Sequence, residues 1–286
     1  MKANRKPYQL VSKEWKEEPT VIHVNGTPIG GNHFTVIAGP CAVETEEQIH
    51  TIAAYLAKKN IKFLRGGAYK PRTSPYSFQG LKNEGLKFLK EAAQKNQLNV
   101  ITEVMDSNLV DTVYEYTDIF QVGTRNMQNY QLLKTLSKTN KPVMLKRGWA
   151  STVQEWLLAA EYILLGGNQN VILCERGIRT FEDSTRNTLD LNSVALVKSL
   201  SHLPVFVDPS QATGNRDLVP RMSIASLAAG ADGLMIEVHN QPEEALSDGD
   251  QSLYLDQFDD LLNQLYTLQP HFNKTRPEEK NNKIKI

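Results

Sequence analysis

Short apolar runs alternate along the chain with longer segments in which apolar residues recur at helical spacing. The runs occupy residues 34–38, 61–64, 100–104, 119–122, 143–145, 171–174, 205–207 and 234–238. Each is short and rich in Val, Ile, Leu or Phe, as buried strands are. Between them, residues 45–60, 85–96, 151–165 and 185–200 read as helices. Ser151 is placed to cap the third of these, and Gly166-Gly167 follows its last apolar turn. Near-continuous apolar strands alternating with helices imply a parallel sheet covered on its outer face. Eight such units in roughly 230 residues predict an α/β fold, a (β/α)8 TIM barrel, rather than an open doubly wound sheet. No phosphate-binding G-x-G-x-x-G or G-x-x-x-x-G-K-[ST] opens a unit, which weakens the nucleotide-fold alternative.

Ahead of the barrel, residues 20–29 read as strand, Asn25-Gly26 turn and strand, a short hairpin. Pro28 confines the returning strand to an edge, so the hairpin is expected to plug or flank the barrel. The predicted organisation is therefore an N-terminal extension and hairpin over 1–33, a barrel domain over 34–268 and a tail over 269–286. The tail is charged, lacks a core pattern and is expected to be disordered.

Composition narrows the function. The 286 residues carry 32 Lys+Arg against 32 Asp+Glu, so no overall positive field favours nucleic acid or an acidic membrane surface. No apolar stretch approaches the ~18 residues of a membrane span. The basic start MKANRKPYQL lacks an apolar core, which argues against a secretory signal. Two cysteines make no disulfide framework, and a cytoplasmic protein is expected.

In such a barrel the chemistry sits at the carboxyl ends of the strands. Arg65, Lys70, Arg72, Arg125, Lys146 and Arg176 all follow apolar runs, a concentration of cations at one rim that suits two or three anionic groups. Gly66-Gly67 would let backbone approach a ligand closely. The plainer alternative pairs each cation with a rim carboxylate such as Glu103, Glu175 or Asp208. Cys41, Glu237 and Asp248 form a second constellation, whose mixed thiolate and carboxylate ligands suit Mn, Fe, Co or Zn better than Mg or Ca. A lone cysteine is more often a small buried hydrophobe, and Cys174 is read that way.

At these residues the chain resembles the type I 3-deoxy-D-arabino-heptulosonate 7-phosphate (DAHP) synthases of the short β subgroup. The similar blocks are GPCAVE at 39–44, RGGAYKPRTSPYSFQG at 65–80, ITEVMD at 101–106, QVGTRNMQN at 121–129, MLKRG at 144–148 and ERGIRTFE at 175–182. VDPS at 207–210, ADGLMIEVH at 231–239 and ALSDGDQSL at 245–253 complete them. The resemblance implies a transferase that condenses phosphoenolpyruvate with erythrose 4-phosphate, the first step of the shikimate pathway and of aromatic amino-acid biosynthesis. By motif, Arg65 and Lys146 would hold the phosphoenolpyruvate carboxylate with Lys70 nearby, and Arg125 and Arg176 would clamp its phosphate. Glu103 would line the same site, and Lys70-Pro71-Arg72-Thr73 would bind the sugar phosphate. Lys70, Glu103 and Lys146 are the expected catalytic set, with Cys41, Glu237 and Asp248 as three metal ligands.

The fourth ligand departs from the family pattern, which has His where this chain has Gln211. A neutral amide is a weaker and harder ligand than imidazole, so the divalent metal is expected to bind differently or less tightly. His239 lies two residues beyond Glu237, on the same strand face, and is a candidate to approach the metal or to serve as an ordinary pocket histidine. Two alternatives remain: a related enzyme acting on arabinose 5-phosphate, and a catalytically impaired ligand-binding paralogue. The resemblance also implies a homo-oligomer, dimer or tetramer. The short flanks suggest no built-in amino-acid feedback module, which would need its own core of ~50 residues.

Overall fold

The eight apolar runs become the eight strands of a closed parallel barrel. A computed structural model describes residues 7–277 of the chain. A hairpin, β1 (Val21–Val24) and β2 (Thr27–Gly30), comes first. The barrel strands follow: β3 (Thr35–Gly39), β4 (Phe63–Arg65), β5 (Asn99–Glu103), β6 (Ile119–Val122), β7 (Val143–Lys146), β8 (Val171–Glu175), β9 (Val205–Val207) and β10 (Gly233–Glu237). Each pairs in parallel with its neighbours, and β10 closes on β3. The predicted (β/α)8 barrel is thus the fold.

Hairpin formation follows from its turn. Asn25 and Gly26 both have positive φ (46° and 84°), as the tight turn that matches strand twist requires. Its inward side chains Ile22, Val24 and Ile29 pack with Ile37, Phe63, Ile101, Ile119, Met144, Ile172, Cys174, Phe206 and Met235. Those nine residues are the inward-facing apolar layer of the barrel, so the hairpin stoppers its amino-terminal mouth. The remaining apolar strand residues, such as Val36, Leu64, Val100 and Leu145, face outward and join the helices in a second core. This two-sided burial explains why the strands read as unbroken apolar runs.

Two local expectations shift. The helix expected from Ser151 runs Val153–Leu165, and its cap is Thr152, whose hydroxyl accepts from the Glu155 N–H while the Glu155 carboxylate accepts from the Thr152 N–H. That reciprocal pair satisfies two backbone donors at the helix start. The helix expected over 185–200 is only Leu191–Leu200, because Thr188 exchanges backbone hydrogen bonds with Ile178 and Asp190 then caps the helix.

The tail also departs from expectation. Residues 269–277 are folded against the barrel: Gln269–Phe272 forms a 3-10 turn, and Thr275 exchanges backbone hydrogen bonds with Asn32 and Phe34. Lys274 reaches Asp232 at 2.7 Å, and Lys198 reaches the same wholly buried carboxylate at 2.7 Å. A buried carboxylate needs such partners, and charge in the tail supplies one. The rest of the expected tail, 278–286, lies outside the described residues. Among the described residues no helix is long and apolar enough to cross a membrane.

Candidate active site

Side-chain parity builds the site. Successive strand residues face opposite sides, so the residue two beyond an inward apolar side chain also faces inward. Phe63 is followed at that spacing by Arg65, Ile101 by Glu103, Ile119 by Gln121 and Met144 by Lys146. Cys174 is followed by Arg176, Phe206 by Asp208 and Met235 by Glu237. The apolar layer thus forms a floor, and the next inward layer is polar or charged. Adjacent residues of opposite parity have the other fate. Arg147 and Glu175 point outward and pair with each other at 2.9 Å, where Arg147 also meets Asp190 and Ser193.

Above the floor lies a cavity of about 390 Å³. Its wall includes all six cations expected from the strand ends: Arg65, Lys70, Arg72, Arg125, Lys146 and Arg176. Pro71, Thr73 and Glu103 are there too. Two further arginines, Arg179 and Arg186, line it from the loop after β8, together with Trp149, Gln121 and Asn187. Arg179 and Arg186 were not legible as site residues, since they sit well into a loop and only its fold-back brings them over the barrel. Gln121 carried a usable signal, the two-residue spacing from Ile119.

The cations are unequally engaged. Arg65 gives Nη1 to Glu237 Oε1 at 2.6 Å, but its buried Nε has no hydrogen-bond partner among the described residues. Lys146 Nζ meets the wholly buried Asp208 at 2.5 Å, so the plainer ion-pair alternative holds for part of its role. Lys70 Nζ contacts the Cys41 carbonyl at 3.0 Å and Cys41 Sγ at 2.9 Å. Arg72 bonds Ser247 Oγ. Arg125 has no carboxylate partner at ion-pair distance among the described residues; it donates to Thr73 Oγ1 at 3.2 Å and stacks 5.0 Å from the Trp149 ring. Such groups leave donors turned to the cavity, where a phosphate or carboxylate supplies the missing acceptors.

Glu103 enters this cationic wall because residue 123 is glycine: a Cβ there would lie 1.9 Å from Glu103 Oε1. Burial pushes its carboxyl above the usual range, although Lys70, Lys146, Arg125 and Arg65 pull the other way.

Cys41, Glu237 and Asp248, of which Asp248 lines the cavity and the other two are buried, come together with one potential ligand atom from each lying within 4.8 Å of the others. Cys41 follows β3, where Gly39 takes a φ of 148° and a Cβ would strike the Arg65 carbonyl oxygen. Asp248 comes from the loop beyond β10, in left-handed conformation. Burial, then Glu237, pushes the Cys41 thiol up to about 12 despite Lys70, so the metal-free thiol keeps its proton at neutral pH. Asp248 is held below the ordinary carboxylate range: Arg186 at 3.0 Å and the Cys41 hydrogen bond outweigh burial. A thiol and two carboxylates at this separation fit a divalent transition ion.

Gln211 is beside them, and its amide is turned away from ligation. Nε2 donates to Glu237 Oε1 at 3.0 Å and Asp248 Oδ2 at 3.2 Å, while Oε1 accepts from Arg176 Nη2 at 3.0 Å. His239 does not reach the trio through either ring nitrogen. Its Nε2 lies 2.9 Å from Gln48 Nε2 and 3.4 Å from Glu44 Oε2, and Nδ1 accepts from the Gln241 N–H. Of its two expected placements, the ordinary pocket histidine is the one the geometry supports.

The sequence profile of the DAHP synthetase I family matches residues 17–273, nearly the whole described chain. The chain belongs to the DAHP synthetase I family. A phospho-2-dehydro-3-deoxyheptonate aldolase of Thermotoga maritima is 52% identical over 263 residues, covering 92% of this chain and 78% of the relative. The crystal structure of a DAHP synthase from the same organism superposes with a TM-score of 0.93 at 50% identity, covering 96% of this chain and 80% of that one. More distant is a 2-dehydro-3-deoxyphosphooctonate aldolase of Syntrophotalea carbinolica, 30% identical across 87% of this chain and 96% of the relative. Identity to the heptonate enzyme, 52%, thus well exceeds that to the octonate enzyme, 30%.

Proposed function

We propose that the protein is a DAHP synthase, joining phosphoenolpyruvate to erythrose 4-phosphate with release of inorganic phosphate. The observation that carries this reading is the cavity wall of eight cations, Arg65, Lys70, Arg72, Arg125, Lys146, Arg176, Arg179 and Arg186, above one apolar barrel floor. Two phosphorylated substrates, one also a carboxylate, present three anionic groups, which so many donors are suited to share. Arg65 and Lys146 hold the phosphoenolpyruvate carboxylate, and Arg125 and Arg176 its phosphate. Arg72, Thr73 and the Pro71 turn hold the sugar phosphate, so that C3 of the enolpyruvate faces the aldehyde. As C3 attacks the aldehyde carbon and water adds at C2, Lys70 and Lys146 stabilise the changing charge. Glu103, whose carboxyl burial holds above the usual range, is suited to carry a proton at its cavity-facing oxygens.

A divalent ion of the Mn, Fe, Co or Zn class would be held by Cys41, Glu237 and Asp248, with Gln211 as the neighbouring amide. When bound, it supplies Lewis-acid polarisation of the aldehyde. The assignment to the cytoplasm rests on the cysteine content. Self-association as a dimer or tetramer rests on the family resemblance alone.

The test is turnover of phosphoenolpyruvate with erythrose 4-phosphate or arabinose 5-phosphate, after metal stripping and with Mn2+ restored. Turnover with erythrose 4-phosphate that depends on restored metal is expected. Faster turnover with arabinose 5-phosphate would favour the alternative of a related enzyme acting on that sugar. The orientation of Gln211 favours one other reading, an impaired paralogue that binds these ligands; binding without turnover under any metal would establish it.

A further inference from the structure

We propose that Gln211 is a two-position amide that couples anion binding at Arg176 to metal binding at Cys41, Glu237 and Asp248. The inference rests on the metal reading above and concerns what this chain's glutamine does to it. A guanidinium has only donors, so Arg176 Nη2 at 3.0 Å keeps Oε1 on its own side of the amide. The amide N–H groups are thereby aimed at Glu237 Oε1 and Asp248 Oδ2, between the two carboxylates that would face a cation. In this position Gln211 opposes a metal twice: it occupies two ligand oxygens, and it presents hydrogens rather than a lone pair.

Turning the amide over reverses both effects. Oε1 would then face the cation, but Nε2 would face the donors of Arg176, two donor groups with no acceptor between them. An anion on Arg176 supplies that acceptor, because one of its oxygens takes hydrogen bonds from the guanidinium and from the turned amide. Anion and metal therefore favour the same amide position. Each raises the affinity of the other by a common factor, as linkage requires. An imidazole at this position has no such pair of end states and would not carry the coupling.

The experiment measures binding rather than turnover. Mn2+ is titrated into the metal-stripped full chain, with free Mn2+ read by electron paramagnetic resonance, with and without saturating inorganic phosphate. A protein-free phosphate control corrects for complexation of Mn2+. Phosphate is expected to tighten Mn2+ binding by roughly tenfold or more, within the usual range of coupling between sites. In Gln211→His and Gln211→Met the factor should fall to about twofold, the residue of simple charge attraction. Thermal unfolding of both variants verifies that they are folded. The same phosphate factor in all three proteins, or no factor in the wild type, overturns the coupling while leaving the metal site standing. Absence of Mn2+ binding in wild type and Gln211→His alike overturns the coupling and the metal reading together.

Discussion

Replacing Arg147 with alanine tests the parity argument at its sharpest, because its neighbour Lys146 lines the cavity and Arg147 does not. The Arg147 side chain is only 6% exposed and gives Nη1 to Glu175, Asp190 and Ser193, each at 2.9 Å, and Nε to the Ser151 carbonyl. Its removal leaves Glu175, wholly buried, with its Gly177 N–H and Ser193 contacts but no cation. Breaking a buried pair from one side costs about 3–5 kcal/mol. The lower end applies here, about 3 kcal/mol, because Glu175 can escape by taking a proton. Burial already raises its carboxyl, and losing Arg147 raises it further. At roughly 2–4 °C per kcal/mol, the unfolding midpoint should fall by about 6–12 °C. Urea and thermal unfolding at several pH values measure this. The deficit should shrink as pH falls, since protonated Glu175 no longer needs a cation. Sulfate affinity of the folded variant should stay within about twofold of wild type, the scale of a distant screened charge. A midpoint shift below about 2 °C, or a tenfold loss of sulfate affinity, would refute the two-faced assignment.

Arg125→Ala should behave oppositely: with no carboxylate partner among the described residues, its loss should weaken sulfate or phosphoenolpyruvate binding about tenfold to a hundredfold in calorimetry, while the melting temperature barely moves. Lys146→Ala should lose both, since Asp208 is left buried without its lysine; unchanged stability would show that the pair contributes little. For Glu103, a folded carboxyl held above its ordinary value contributes stability at low pH that is lost as pH rises through that value. Glu103→Gln should therefore melt higher than wild type at about pH 8 and equally near pH 4, and should bind sulfate with less pH dependence; equal melting at both values would count against a raised carboxyl. Ile29→Ala opens a void in the hairpin plug and should cost about 2–5 kcal/mol in urea unfolding, whereas a loss below 1 kcal/mol would mean the hairpin is not part of the core.

Sequence alone determined the barrel and its active rim. Burial on both faces forces parallel strands to be apolar throughout, and the alternation with helical segments leaves few other folds, so eight runs could be placed nearly to the residue. The clustering of the six strand-end cations, and of the candidate ligands Cys41, Glu237 and Asp248, was legible for a related reason: in this fold, distance along a strand translates directly into height in the barrel. Tertiary structure decided what that one-dimensional reading cannot contain. Lys146 and Arg147 are neighbours in sequence, yet strand parity sends one into the cavity and the other to Glu175 under the helices. Arg179 and Arg186 join the site because a loop folds back, and Lys274 is ordered because Asp232, far away in sequence, is buried without enough cations. The identity of Gln211 announced a departure at the candidate metal site, but its direction depended on Arg176. Only the folded chain brings a donor-only guanidinium to one end of that amide and two carboxylates to the other.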